Sequence, residues 1–470
     1  MIIYVFGAIF EHFWVVFIYI CVESLSKYHS FFMVGVGGIS MSALALYLKA
    51  KGKKVCGSDV VESHITKKLV QNGIEVSLSF DESKLVGSDI VCFSGAIKPD
   101  DKYLLLAKSL GIKCIERATL LSMVAAEYKN VIAVAGTHGK TTTTAMIANA
   151  FLNAGKRPTV HIGGEYNRIG GNLLVGSDDC FITEACEYRD SFLALRPYIS
   201  VVTNVEKEHM DYFGSFDREI NSFRKFCTLT KGKCFVNSDY KGFFDGKKCH
   251  FFGKSGLLSK NENLDDDGKY SFDVFCEETF LGRCELGICG RHNINNALAC
   301  IAVCLECGID KEIIFDSMNH FQNVDRRLEK LGTIGKSIVY CDYAHHPTEI
   351  KSTLSACMDL SKGREIVCVF QPHTFSRTRD LMDEFCSCFE GASKLYLTTN
   401  YSARESYDYY GSAEYLAKQM QNRHDTIKVI YFDKKQRLIN YLKLDTQKDS
   451  IIVFLGAGDI DALARDFVKM

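Results

Sequence analysis

The sequence predicts an α/β chain of three domains, each built on a mainly parallel sheet. Three observations carry this. A chain of 470 residues is too long for one ordinary core, and at about 150 residues per domain it divides into three. From Phe31 onward, short apolar runs alternate with amphipathic stretches, the pattern of strands joined by crossover helices. The alternation restarts twice, and each block ends its strands at clusters of Gly, Asp, His or Asn, where ligands sit in such sheets.

The elements justify themselves in order. Residues 1–29 form an apolar, aromatic extension interrupted by Glu11 and His12, with no basic region before it; its longest clean run, Phe13 to Val22, is too short to span a bilayer. An interfacial anchor, an atypical signal and translation from upstream of the true start compete here, and the globular pattern that begins directly afterwards favours the last. Residues 30–127 read as strand, helix and strand through "FFMVGVGG", "ISMSALALYLKAKG", "KVCGSD" and "DIVCFSGAI". Residues 128–324 repeat this with "VIAVAG", "DCFITEA" and "ISVVTNV", then break into short β-like pieces in which "KNENLDDDGK" reads as a surface loop. Residues 325–470 close the series with "SIVYCDYA", "EIVCVFQ", "KLYLTTNY", "IKVIYF" and "SIIVFLGAGDI".

Composition excludes several classes. Lysine plus arginine (56) nearly cancels aspartate plus glutamate (57), so the charge balance calls for neither nucleic acid nor a stable membrane partner. The 20 cysteines are scattered and read as reduced, mostly small buried apolar residues. Zinc is disfavoured, since Cys304 and Cys307 are a close helical pair without further partners. The body is expected to be cytoplasmic, as a monomer or homodimer.

The chemistry concentrates at "VIAVAGTHGKTTTT". Gly136 and Gly139 let the backbone turn between a buried strand and a helix, so that main-chain N–H groups from Gly136 through Thr142, including those of Thr137 and His138, surround an anion at the positive end of the helix. Lys140 would reach the β and γ phosphates of ATP, and Thr141 would offer its hydroxyl to Mg²⁺. The fit to GxxxxGK[ST] is imperfect, because only two residues separate the glycines. The bland alternative is a helix start with an incidental lysine.

A second glycine turn, Gly35, Gly37 and Gly38, precedes another helix, with Ser40 in the last glycine position of GxGxxG. Asp59, at a strand end about twenty residues on, would accept from a ribose or base, or else cap a helix. Glu184 ends an apolar strand and His209 follows another; with Thr141 they would hold Mg²⁺, which takes few protein ligands beside phosphates and waters. Glu187, Glu206, Glu208 and Asp211 lie nearby, and spacing does not choose among them; a turn histidine bonded to backbone is the alternative for His209.

"GVGGISMSALA", "GTHGKTTTT", "EACEYRDSFL", "TNVEKEHMDYFG", "GRHNINNALA", "DYAHHPTEI", "FQPHTFSRT" and "LGAGDI", in this order and over about residues 31–470, resemble the Mur ligases. The resemblance implies a Rossmann-like N-terminal domain, a central P-loop ATPase domain and a Rossmann-like C-terminal domain. It implies ATP and Mg²⁺, and an acyl-phosphate route joining L-alanine to UDP-N-acetylmuramic acid. By resemblance, Gly35, Gly37, Gly38, Ser40, Asp59 and Ser94 bind the UDP moiety, and Lys140, Glu184 and His209 serve the phosphates and metal. His292, Asn293 and Asn296 contact ATP, with Arg327 and Asp342 supplied from the third domain. Tyr343, His345 and Arg377 surround the alanine, Arg377 gripping its carboxylate and His345 or His346 assisting loss of the amine proton.

Departures from the family pattern matter too. Ser40 replaces a glycine, Cys186 and Cys341 stand where many relatives carry aspartate, and Thr374 stands where an arginine is common. Phe223 and Arg224 occupy the place of the carbamoylated lysine of other Mur ligases, so that group is not expected. Two other readings stay open: a ligase adding a preformed murein peptide to the same sugar acid, and a non-catalytic nucleotide-binding homologue. "DYAHHPTE" and "RHNINNALA" also have bland readings, as a capped strand end and as a helix start whose asparagines are caps.

Overall fold

The computed structural model describes residues 23–403, 405–423 and 426–470, so the reading of residues 1–22 lies outside what is described. The described chain forms two compact units. One runs to Thr144 and takes up again over Gly155–His250; the other comprises Ala145–Ala154 and Phe251–Met470.

The first unit carries two sheets. In the N-terminal one, β1 (Ser30–Val34), β2 (Lys54–Ser58), β3 (Glu75–Ser77), β4 (Ile90–Phe93) and β5 (Lys113–Glu116) are all parallel in the order β3-β2-β1-β4-β5. Phe32, Val34 and Val91 on the central strands pack with Leu85, Tyr103 and Ala107, which explains the unbroken apolar runs there: a strand covered on both faces has no wet side to alternate with. The second sheet contains β6 (Asn130–Ala135), β7 (Thr159–Tyr166), β8 (Gly171–Leu174), β9 (Cys180–Glu184), β10 (Ile199–Val202) and β11 (Cys234–Asn237), in the order β11-β10-β6-β9-β7-β8. Of these only β8 runs antiparallel to its neighbour. The strand β12 (Cys249–Gly253) follows β11 in the chain.

The second unit opens with an antiparallel meander of β13 (Leu257–Leu264), β14 (Lys269–Cys276) and β15 (Thr279–Cys289). Here the structure corrects the sequence. "KNENLDDDGK" is not a loop throughout: Lys260 to Leu264 lie in β13, with a register shift between Lys260 and Asn263, and only residues 265–268 make the turn into β14. The strand is polar because residues 260–264 are exposed.

The last sheet holds β16 (Glu329–Ile334), β17 (Ser337–Asp342), β18 (Glu365–Phe370), β19 (Lys394–Thr398), β20 (Lys428–Phe432) and β21 (Ser450–Leu455), ordered β16-β17-β21-β18-β19-β20. All pairs are parallel except β16 with β17. Its two faces bury separate cores, one around Ile350, Leu354, Phe370 and Phe389, the other around Val339, Phe432, Phe454 and Phe467. No described helix is long and apolar enough to cross a membrane.

The cysteines need a second correction. Cys304 has a helical partner besides Cys307: Cys300, one turn earlier, lies with its sulfur 3.8 Å away, because residues four apart share a helix face.

Candidate active site

The turn after β6 is the most constrained part of the first unit. Gly136 has φ +133°, and a Cβ there would fall 2.0 Å from Thr203 Oγ1, so no other residue fits. The loop leaving β10 grips the turn from below. Thr137 N donates to Asn204 O (3.2 Å), His138 N donates to Asn204 Oδ1 (2.7 Å), and the Thr203 hydroxyl donates to His138 O (2.6 Å). Glu206 N in turn donates to Thr137 Oγ1 (2.9 Å). Gly139 has φ +79°, and the helix Lys140–Asn153 starts immediately after it, with Thr141 and Thr142 buried in its first turn. The amides of Thr137 and His138 are thus taken by Asn204, contrary to the expectation that they surround an anion, and it is the helix start at residues 139–142 that presents the N-terminus suited to phosphate.

Lys140 lies beside this cradle. Its Nζ donates to Gly136 O, to Thr137 O (3.0 Å) and to both carboxylate oxygens of Glu187 (3.1 and 3.0 Å). Burial disfavours the ammonium, but the carboxylate of Glu187, with Glu184 behind it, outweighs this and holds Lys140 above its usual range. Glu187, among the four nearby acids that spacing did not separate, is thus the partner of Lys140; it is only 2% exposed and also lies 3.9 Å from His209 Nε2.

Glu184 ends β9, where its Oε1 accepts from Gly163 N, and a Cβ at Gly163 would come within 2.7 Å of Glu184 Oε2. His209 has φ +56° and precedes the short helix Met210–Phe213; its ring packs on Tyr188 at 4.5 Å between centroids. Its ring therefore faces Glu187 and Tyr188. Asp190, itself at φ +57°, accepts from Tyr212 (2.7 Å) and from Ser222, tying the Glu187 loop to the helices that follow His209. Phe223 is buried against Phe192, and Arg224 donates to Phe243 O.

At the N-terminal sheet, Gly35 and Val36 amides donate to Ser58 O, and Gly37 N donates to Asp59 Oδ2 (2.8 Å). A Cβ at Gly37 would lie 2.8 Å from that oxygen. Asp59 Oδ1 accepts from Val60 and Val61. Asp59 thus holds the glycine turn, while the next helix, His64–Gln71, is capped by Ser63; the helix-cap alternative for Asp59 is wrong. Ser94 sits against Gly35, 3.2 Å from the position of an added Cβ. Ser40 does more than replace a glycine. Its hydroxyl lies 2.9 Å from His161 Nε2 and accepts from Arg117 (3.2 Å), joining the first helix of this sheet to β7. Burial, then the Arg117 charge, press His161 down to about 3, so it is neutral.

In the second unit, Asp342 ends β17. Its carboxylate accepts from Leu328 N (2.6 Å) and Ala344 N (2.7 Å), and burial raises it to about 6. Arg326 and Arg327 lie over the Tyr343 ring, at 4.7 and 5.4 Å from its centroid. Arg326 is tied into the fold: it donates to Gly456 O (2.8 Å) and Gly458 O (3.1 Å). His345 Nδ1 lies 3.0 Å from Tyr343 O and 3.2 Å from Glu349 Oε2. His346 caps the helix Pro347–Ser361, accepting from Thr348 N, so its Nδ1 is engaged in the fold. Arg377 NH1 sits 3.1 Å from His373 Nδ1, and the His373 ring lies 5.6 Å from that of His345 and stacks on Tyr401. Tyr343, His345, His373 and Arg377 therefore form one continuous row.

The asparagines of "GRHNINNALA" are not caps. Asn293 donates to Cys289 O (2.7 Å) and Asn296 donates to Asn293 Oδ1 (2.9 Å), both buried, while the capping position is Arg291. His292 is exposed at the start of that helix. Cys341 is buried in β17, with its thiol pushed to about 12 by burial.

Sequence reasoning missed Asn204, Glu349 and His373. Signals existed for two of them: an asparagine directly after an apolar strand, and H-P-T-E as a capping box.

The fold and site define a P-loop α/β protein, its phosphate cradle on the middle of three sheets. Three family models cover the chain in succession: the Mur ligase family catalytic domain over residues 30–129, the Mur ligase middle domain over 134–304, and the Mur ligase glutamate ligase domain over 326–458. The chain belongs to the Mur ligase family. It is 38% identical over 455 residues to the UDP-N-acetylmuramate–L-alanine ligase of Caldanaerobacter subterraneus subsp. tengcongensis, covering 95% of this chain and 98% of that one. With the same ligase of Caldicellulosiruptor saccharolyticus it shares 40% over 443 residues, 92% and 97% of the two chains. The crystal structure of UDP-N-acetylmuramate–alanine ligase MurC from Thermotoga maritima superposes with a TM-score of 0.81 at 25% identity, covering 94% and 98%. A murein peptide ligase from Psychrobacter arcticus shares the fold, with a TM-score of 0.72 at 21% identity over 93% and 98%.

Proposed function

We propose that this chain joins L-alanine to UDP-N-acetylmuramic acid at the expense of ATP, the first peptide-forming step of peptidoglycan precursor synthesis. One observation carries the reading: the Lys140 cradle, with Glu184, Glu187 and His209 around it, sits in a chain that matches alanine-adding ligases nearly end to end. Both substrates and ATP are cytoplasmic metabolites, which puts the reaction there. The domain limits that go with it are 30–127, 128–324 and 325–470.

The chemistry balances in two steps. A carboxylate oxygen of the sugar acid attacks the γ phosphorus of ATP, and the bond from that phosphorus to the ADP oxygen breaks. The alanine amine then attacks the carbonyl carbon, loses a proton, and the carbon–oxygen bond to phosphate breaks, releasing inorganic phosphate with one oxygen from the acid. Lys140 and the turn amides stabilise negative charge on the transferring phosphoryl without forming bonds of their own.

The donors present fit Mg²⁺. Thr141 offers a hydroxyl, Glu184 a carboxylate that a side chain at Gly163 would crowd, and His209 one ring nitrogen beside buried Glu187. These three would hold it, and when bound it supplies charge neutralisation on the phosphates.

Arg377, steadied by His373, suits the alanine carboxylate, leaving the amine to attack. The two acceptors at His345 Nδ1 keep the proton there and the lone pair on Nε2, so His345 is the group we assign to take the amine proton; His346 is committed as a cap. Tyr343 completes this row. Gly35, Gly37, Gly38, Ser40, Asp59 and Ser94 are assigned to the UDP moiety, and His292, Asn293, Asn296, Arg327 and Asp342 to ATP.

A phosphate-release assay with UDP-N-acetylmuramic acid, ATP and L-alanine, glycine, L-serine or murein tripeptide in turn tests the reading. Rapid release with L-alanine is expected, with labelled oxygen from the acid appearing in the phosphate. Release supported by tripeptide alone, or hydrolysis indifferent to the sugar acid, would overturn it.

A further inference from the structure

Away from this site, three cysteines distant in sequence bring their sulfurs together. Cys227 lies in the last turn of the helix Phe216–Leu229, Cys234 opens β11 and Cys249 opens β12. The sulfurs of Cys227 and Cys234 are 3.0 Å apart, and all three lie within 4.8 Å of one another. Among the described residues this is the one such group made of cysteines alone. Cys227 and Cys234 are buried, whereas Cys249 is half-buried at a cavity of about 250 Å³ that Cys227, Arg224, Lys247 and Lys248 also line.

We propose that Cys227, Cys234 and Cys249 form a three-thiolate site for one thiophilic d¹⁰ cation, Zn²⁺, with its fourth position open to that cavity. An ion about 2.3 Å from each sulfur in tetrahedral geometry spaces the sulfurs about 3.8 Å apart, a value inside the span they already occupy. Sulfur-only ligation selects a soft ion over Mg²⁺. Three thiolates and a divalent cation leave one net negative charge, which the rim of Arg224, Lys247 and Lys248 offsets, their three positive charges exceeding the one negative charge of Asp245 in the same lining. Binding sends the thiol protons to solvent, with no change of oxidation state. The cavity is the entry path and holds the water that completes the shell.

The site would staple the end of one helix to the starts of two strands. β11 pairs with β10, whose far end runs into Thr203 and Asn204, the residues that hold the phosphate turn. The metal therefore braces the sheet from the end opposite the chemistry and takes no part in it.

Co²⁺ serves as the probe, titrated into reduced, metal-stripped full-length protein. One equivalent should produce a strong thiolate-to-cobalt charge-transfer band that one equivalent of Zn²⁺ abolishes, and Zn²⁺ should raise Tm. Cys249→Ser, at the half-buried position, should weaken Zn²⁺ binding at least tenfold, while Cys276→Ser, at an exposed cysteine, should change nothing. Alkylation mapping of the wild-type chain supplies a readout free of folding defects: Zn²⁺ should protect Cys227, Cys234 and Cys249 selectively. No stoichiometric band, a band that Cys249→Ser leaves intact, or a Cys227–Cys234 disulfide that excludes cobalt would overturn the proposal.

Discussion

Lys140 Nζ lies 3.0 Å from Glu187 Oε2, so the ammonium meant for a nucleotide's phosphates is already paired with a buried carboxylate. The pair keeps the lysine charged and in place before ATP arrives. It also sets up a competition, because a phosphate taking the ammonium draws on the same charge.

Glu187→Gln should therefore separate binding from turnover. Loss of the competing carboxylate should leave the ATP KM unchanged or lower, while a less firmly aimed Lys140 and a less firmly held His209 lower kcat at least tenfold. Stability should fall by roughly 1–3 kcal/mol, because the Gly136 and Thr137 carbonyls still accept from the ammonium. Steady-state kinetics with thermal melts check this; a raised ATP KM at unchanged kcat would refute the pairing role.

Lys140→Ala should cut kcat by about 10²–10³-fold or more, the scale for removing one preorganised donor to a charged transition state. UDP-sugar binding, measured by calorimetry, should stay nearly intact, since Gly37 and Asp59 make their own contacts. Equal losses in both would contradict the separation of the two sites.

Arg377→Ala should raise the alanine KM about 10- to 100-fold, the worth of a charged hydrogen-bonded contact, with little change in the ATP KM. The reverse pattern would remove Arg377 from the carboxylate clamp. His373→Ala should reproduce a milder version, because His373 steadies Arg377.

Glu219 should leave a signature in stability against pH. It is fully buried, Oε1 has no partner, and burial raises it from 4.5 to about 8 even though Glu208 N donates to it. The folded state therefore holds this proton more tightly than the unfolded chain does. Its contribution is complete below about 4.5 and is lost as pH rises through 8. Glu219→Gln should flatten the fall of Tm across that window and be the more stable protein above it. Identical slopes for the two proteins would show Glu219 to be ionised in the fold.

Much was legible in the chain itself. Three blocks of apolar runs became three sheets, because a strand covered on both faces must be apolar throughout, and "SIIVFL" is buried at every residue of β21. Gly136, Gly139 and Lys140 were readable because a phosphate turn is local: its geometry is written in consecutive residues. Tertiary structure alone gave Glu187 to Lys140, since their approach spans 47 residues. It likewise gave Asp59 to Gly37, Ser40 to His161 and three cysteines to one another. Those pairings depend on how strands from distant segments come into register, and no periodicity along the chain encodes a distance in space.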